Sequence, residues 1–94
     1  MGIRERKIEK YLDDCVRSIG GITRKWTGHS GVPDRIVIDA NGLVWFVEVK
    51  TSDGKLSDVQ KREHIRLKDA GAKVVTVYGR ADVDELIERI LDVD

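Results

Sequence analysis

Residues 31–50, GVPDRIVIDANGLVWFVEVK, most constrain what this chain can become. A Pro-Asp pair leads into Arg35-Ile36-Val37-Ile38, Ala40-Asn41-Gly42 turns the chain, and a second apolar run ends in Glu48-Val49-Lys50. Asn-Gly between two β-prone runs is the strongest short-range hairpin signal. Both runs are apolar at successive positions, which predicts a central hairpin covered on both faces, with Trp45 and Phe46 in the core. Asp34, Glu48 and Lys50 stand inside these runs. Such side chains are rarely buried without a partner or a task, so function is expected here.

Register decides whether the three meet. The side-chain period of two puts Glu48 and Lys50 on one face. A two-residue Asn41-Gly42 turn would pair Asp34 with Val49 and leave it on the opposite face from Glu48. A three-residue Ala40-Asn41-Gly42 turn, with Gly42 in the left-handed region, pairs Asp34 with Glu48. The second register is predicted, with a bulge at Gly42 or an equivalent distortion at Pro33-Asp34. A divalent metal that hydrolyses phosphodiesters needs oxygen ligands, usually two or more carboxylates, with positions open for water and phosphate. Asp34 and Glu48 would supply them. Lys50 would orient the attacking water or stabilise charge building on the phosphate.

The flanking segments supply the scaffold. From Ile3 to Ile19 apolar residues recur at Ile8, Leu12, Cys15, Val16 and Ile19, a helical spacing stopped by Gly20-Gly21. At about 100° per residue, Glu9 and Glu5 fall in the apolar sector of that helix, whereas Lys7, Lys10 and Arg17 point elsewhere. Ile22, Arg24 and Trp26 alternate with Thr23, Lys25 and Thr27 as a short strand with one wet face. His29, in a glycine-containing loop, is the only imidazole expected near the site, and it reads as solvated. Leu56 to Ala70 is a second helix, with Ser57 and Gln60 at capping-box spacing and Gln60, His64 and Leu67 stacked on one face. Lys73 to Tyr78 is a fourth strand, and Asp82 and Glu85 are expected to cap a last helix. The order α-β-β-β-α-β-α predicts an α/β fold, a mixed β-sheet of about four strands flanked by helices. The strand reached through the second helix must run parallel to a neighbour.

Composition limits the alternatives. Ninety-four residues suit a single domain spanning 1–94. With 40% hydrophobic and 36% charged residues and no apolar run near 18 residues, neither a membrane partner nor a transmembrane helix is expected. The charged N-terminal stretch argues against a secretory signal, and Arg6 against myristoylation. One cysteine, Cys15, excludes an internal disulfide and fits a cytoplasmic setting. The net charge is zero, but residues 1–30 carry seven Lys/Arg against four Asp/Glu, and residues 71–94 three against six. That asymmetry is compatible with phosphate contacts.

Pro33-Asp34 with Glu48-Val49-Lys50 fourteen positions on resembles the PD-(D/E)xK nuclease signature. The fuller succession sharpens the likeness: Gly20-Gly21, Gly31-Val32-Pro33-Asp34, Phe46 to Lys50, Gly54-Lys55-Leu56-Ser57, Gln60, His64, Leu67 and Gly71. It is similar to the VRR-NUC family in the short stand-alone form known from phages and bacteria, and it covers nearly the whole chain. The resemblance implies a restriction-endonuclease-like core and a Mg²⁺- or Mn²⁺-dependent endonuclease acting on branched or structured DNA such as Holliday junctions, in a bacterial or phage-infected cell. It makes Asp34 and Glu48 metal ligands, the Val49 carbonyl a third, Lys50 the catalytic lysine and Gln60 a further motif residue. It places the first-helix glutamate eleven positions before Gly20, at Glu9, with Glu5 as the fallback. Dimeric resolvases of the same superfamily imply a homodimer.

Three rival readings belong beside it. A non-catalytic DNA-binding or assembly module could keep this fold, although Asp34, Glu48 and Lys50 are costly to retain without a metal. A sequence-specific restriction-type enzyme would need more chain to read base edges. Asp34 and Lys50 could instead form a purely structural ion pair.

Overall fold

The turn between the two central strands sets the geometry of the whole sheet. In the computed structural model, which describes residues 2–92, Asp39 N–H donates to the Leu43 carbonyl and Gly42 N–H to the Asp39 carbonyl, both at 2.9 Å. The loop therefore has three residues, Ala40-Asn41-Gly42. Gly42 has φ 84°, where a side chain would cost about 1–2 kcal/mol. The Asp39 carboxylate ties the turn together. Its Oδ1 accepts from the N–H groups of Asn41 (2.9 Å) and Leu43 (3.0 Å), and its Oδ2 from Trp45 Nε1 (3.1 Å). Burial alone would raise the pKa of Asp39, but the bonds from Trp45 and the two backbone N–H groups outweigh it and hold the carboxyl below its ordinary value. Asp39→Ala strands the buried Trp45 Nε1–H and releases the two turn N–H groups, and should cost about 2 kcal/mol, read as a fall in the urea midpoint at unchanged slope.

From this turn, β2 (Arg35–Ile38) and β3 (Val44–Val49) pair antiparallel, with Arg35 opposite Val47 and Ile38 opposite Val44. One step beyond Arg35 and Val47 lie Asp34 and Glu48, so the predicted register is the one adopted. β1 (Ile22–Lys25) pairs antiparallel with β2, and β4 (Lys73–Val77) parallel with β3, giving the order β1-β2-β3-β4. The parallel step needs a crossover, and α2 (Asp58–Asp69) provides it.

One face of the sheet is covered by α1 (Ile3–Ser18) and α3 (Arg80–Asp92). α1 ends in a Schellman motif, with Gly21 N–H on the Val16 carbonyl at 3.0 Å and Gly20 N–H on the Arg17 carbonyl at 3.1 Å. Leu12 and Val16 of α1, and Val83, Leu86 and Ile90 of α3, pack with Val37, Trp45, Val47, Val49 and Val77 as the core. The Trp45 ring is further held by the Lys73 ammonium and the Arg89 guanidinium, 5.0 and 5.3 Å from its centre. No helix among the described residues is long and apolar enough to cross a membrane.

Three expectations need correction. The hairpin is not covered equally on both faces. α2 packs against β4, so the rest of that face lies open: Ile22 of β1 and Val44 of β3 are exposed, and Phe46 of β3 is only half-buried against Trp26, the ring centres 5.0 Å apart. In β1 the apolar Ile22 therefore points to the open side, while Thr23 faces α1 and donates to Asp13 Oδ1 at 2.7 Å. Finally, α3 begins at Arg80, two residues before Asp82. The Asp82 carboxylate reaches back from the first turn to accept the Tyr78 N–H at 2.8 Å, which in sequence looks the same as a cap.

Candidate active site

Asp34 is delivered by the loop between β1 and β2. Gly31 has φ 84°, and a Cβ there would meet the Val59 carbonyl at 2.7 Å, so only glycine lets this loop lie against α2. Val32 and Pro33, both buried, carry the chain on to Asp34. Asp34 continues the ladder through its carbonyl, which accepts the Trp26 N–H at 2.9 Å. Its side chain crosses to β3, where Oδ2 accepts the Val49 N–H at 3.1 Å. That bond fixes Asp34 beside Glu48.

Glu48 is 2% exposed. Its Oε2 accepts from Gln60 Nε2 at 3.1 Å and lies 3.7 Å from Lys50 Nζ. Its Oε1 is buried without a hydrogen-bond partner. Burial, and then the negative charge of Asp34, push its pKa up to about 7, with Lys50 pulling the other way. Two adjoining carboxylates, one with a buried oxygen lacking any donor, are an environment that favours a bound cation. Among the described residues no three Asp, Glu, His or Cys side chains form a cluster fit for a metal ion. The donors on offer are two carboxylates, an incomplete shell of the kind that leaves positions for water and phosphate. These residues fit a hard divalent cation. Asp34 and Lys50 form no ion pair: Asp34 accepts the Val49 N–H, and Lys50 Nζ lies 3.7 Å from Glu48 Oε2 instead.

Gln60 joins the capping box to the site carboxylate. Its backbone N–H donates to Ser57 Oγ at 3.1 Å, its Oε1 accepts the Ser57 N–H at 2.9 Å, and its Nε2 holds Glu48. Glu9 is placed differently. It is buried as the helical wheel requires, but α1 lies across the other face of the sheet, and there Glu9 Oε1 meets Arg35 Nε at 2.8 Å. The contact is a close ion pair without hydrogen-bond alignment. Burial raises the pKa of Glu9, Arg35 lowers it, and the charge of Asp34 is also felt there. Glu9 thus borders the site without touching Glu48. Glu5, one turn earlier, is half-buried.

Arg35 escaped the sequence reading, and His64 was read there only as part of a helical stripe and of the family succession. Arg35 alternates away from Asp34 and binds both Glu9 and Asp13, the latter at 2.9 Å; a β-strand arginine next to a site aspartate was its only sequence signal. His64, one turn beyond Gln60, is buried with Nε2 unpartnered. Burial lowers its pKa, and the charges of Asp34 and Lys50 both act on it. The histidine near the site is therefore His64, whereas His29 is 66% exposed, 3.9 Å from Glu63.

Comparison with known proteins identifies the family. Residues 5–81 match the VRR-NUC domain. The chain is 47% identical over 77 residues to "Putative nuclease p44" of Acyrthosiphon pisum secondary endosymbiont phage 1, covering 80% of this chain and 83% of that one. A solved structure described as a VRR_NUC domain superposes with a TM-score of 0.86 at 40% identity, covering 93% of this chain and 97% of the other. With its Asp34–Glu48 register set by a three-residue turn and a domain match across most of its length, the chain belongs to the VRR-NUC domain family of nucleases.

Proposed function

We propose that this chain is a Mg²⁺- or Mn²⁺-dependent DNA endonuclease, one domain over residues 1–94, that hydrolyses phosphodiester bonds in branched DNA such as Holliday junctions and works as a homodimer. The observation that carries the metal-dependent reading is the buried, unpartnered Glu48 Oε1 beside Asp34 and Lys50. The preference for branched DNA and the homodimer rest on the family resemblance.

In this reading Asp34 and Glu48 hold the cation, with the Val49 carbonyl as a third donor. A cation bound there supplies Lewis acidity toward the phosphate and lowers the pKa of water. Lys50 presents a positive charge on the same face, close enough to steady negative charge as it builds on the phosphate. Gln60 holds Glu48 Oε2 and so leaves Oε1 for the cation. The Val49 N–H does the same for Asp34, restraining one oxygen of that carboxylate. Glu9 acts from the rim, through Arg35, rather than as a ligand.

The test is cleavage of labelled four-way junction, flap, splayed and linear DNA with Mg²⁺, Mn²⁺ or EDTA. Junction cleavage that needs metal and disappears in Glu48→Ala is the expected result. No cleavage of any substrate with either metal sinks the assignment, and tight junction binding without cleavage would favour a non-catalytic module. Binding should weaken steeply as salt is raised, since phosphate contacts supply most of the affinity.

A further inference from the structure

Ser57 does not touch the two carboxylates, yet the structure makes it decisive for one of them. It is the N-cap of α2, with φ −70° and ψ 165°, and it forms a reciprocal capping box with Gln60. A glutamine side chain has one end that accepts and one that donates. A backbone N–H can only donate, so the Ser57 N–H claims Gln60 Oε1 at 2.9 Å. The amide NH₂ is then turned the only other way, onto Glu48 Oε2 at 3.1 Å. Reversed, the amide would set its carbonyl against a carboxylate and leave the Ser57 N–H facing another donor. Glutamate at position 60 would also complete a capping box, but it would confront Glu48 with a second carboxylate. Glutamine alone satisfies both neighbours.

We propose that Ser57 is a positioning residue for the Asp34–Glu48 site. By fixing which end of the Gln60 amide faces β3, it occupies Glu48 Oε2 and leaves Oε1 as the oxygen directed to a divalent cation. The start of α2 and the metal-binding carboxylate are thereby one hydrogen-bonded unit, Ser57 to Gln60 to Glu48. This inference rests on the metal reading above and adds a residue to it.

The informative variant is Ser57→Pro, because φ −70° suits proline while the N–H that orients the amide is deleted. Mn²⁺ binding to the protein alone, without DNA, should weaken roughly tenfold, the effect usual for a group that orients a metal ligand. Ser57→Thr, which keeps both the hydroxyl and the N–H, should bind Mn²⁺ as the wild type does. Gly71→Ala loosens the other end of α2, where φ is 98°; it should lower the melting temperature with Mn²⁺ affinity unchanged. In metal-free protein, ¹⁵N relaxation of the Gln60 side-chain NH₂ should report a rigid amide in the wild type and a mobile one in Ser57→Pro.

Wild-type Mn²⁺ affinity together with a rigid Gln60 amide in Ser57→Pro overturns the proposal. Should that variant fail to fold, the metal-free wild type decides alone: a rigid Gln60 side-chain NH₂ with a slowly exchanging Ser57 N–H supports the role, and a mobile amide overturns it. Wild-type protein that binds no Mn²⁺ refutes the metal reading instead, and the Gln60 relaxation still decides whether Ser57 orients the amide.

Discussion

Lys50→Ala should lower the rate of DNA cleavage by a factor of about 10²–10³, the usual consequence of removing one group that stabilises developing charge. The loss should fall on kcat, with KM for DNA little changed, because one ammonium adds little to a phosphate-binding surface. Lys50 Nζ is 3.7 Å from Glu48 Oε2, and its side chain is only 19% exposed, so its charge acts where water screens it weakly. The same charge restrains the pKa of Glu48. Its removal should therefore carry the Glu48 transition above its present value of about 7, and metal binding by the variant should develop at a higher pH than in the wild type. Above that transition, loss of a positive neighbour should leave Mn²⁺ affinity equal or tighter. A slow enzyme that still binds metal is the signature expected. Lys50→Arg keeps the charge but spreads it over a planar fork, and should recover metal binding at wild-type pH without recovering the full rate. Cleavage by Lys50→Ala at the wild-type rate would falsify the catalytic role.

The central hairpin was legible in the sequence because its register follows from local chemistry. Gly42 can take a positive φ, Asn41 favours turns, and a one-residue change of register would have moved Asp34 to the other face. Gln60 was legible for a similar reason, since a capping box is a property of four consecutive residues. The burial of Glu9 could be read from a helical wheel. What Glu9 meets could not, because its contact with Arg35 depends on where α1 crosses the sheet and on the alternation of β2. The half-open sheet face was hidden too. Apolar residues at consecutive strand positions announce two buried faces, but the placement of α2 over β4 leaves Ile22 and Val44 without cover. His64 was seen as part of a helical stripe, and its burial with an unpartnered nitrogen emerged only when that stripe was set against the sheet.

In metal-free protein, Glu48→Gln should raise stability at pH 8 by about 3 kcal/mol and change it little near pH 4.5. The carboxyl of Glu48 rises from an ordinary 4.5 to about 7 in the fold, through burial first and Asp34 second. Between those values the native state holds a proton that the unfolded chain has released, so stability falls as pH rises. The contribution is whole below pH 4.5 and gone above pH 7, and a difference of about 2.5 pH units corresponds to about 3 kcal/mol. Glu9, also raised by burial, adds a slope of the same sign. His64, whose pKa is lowered, gives the opposite slope as pH passes its ordinary 6.5. Asp39, held below 3.8, is ionised throughout this window. Comparing wild type with Glu48→Gln at each pH cancels the others to first order and isolates Glu48. The glutamine keeps nearly the same shape and has no charge to bury, so its denaturation midpoint should vary less between pH 4.5 and 8. Mn²⁺ at pH 8 should return stability to the wild type, by an amount set by its concentration over Kd, and return little to the variant. Parallel pH profiles for the two proteins would mean that Glu48 is not strained by its neighbours, and the unpartnered Oε1 would be left as the sole support for a cation between Asp34 and Glu48.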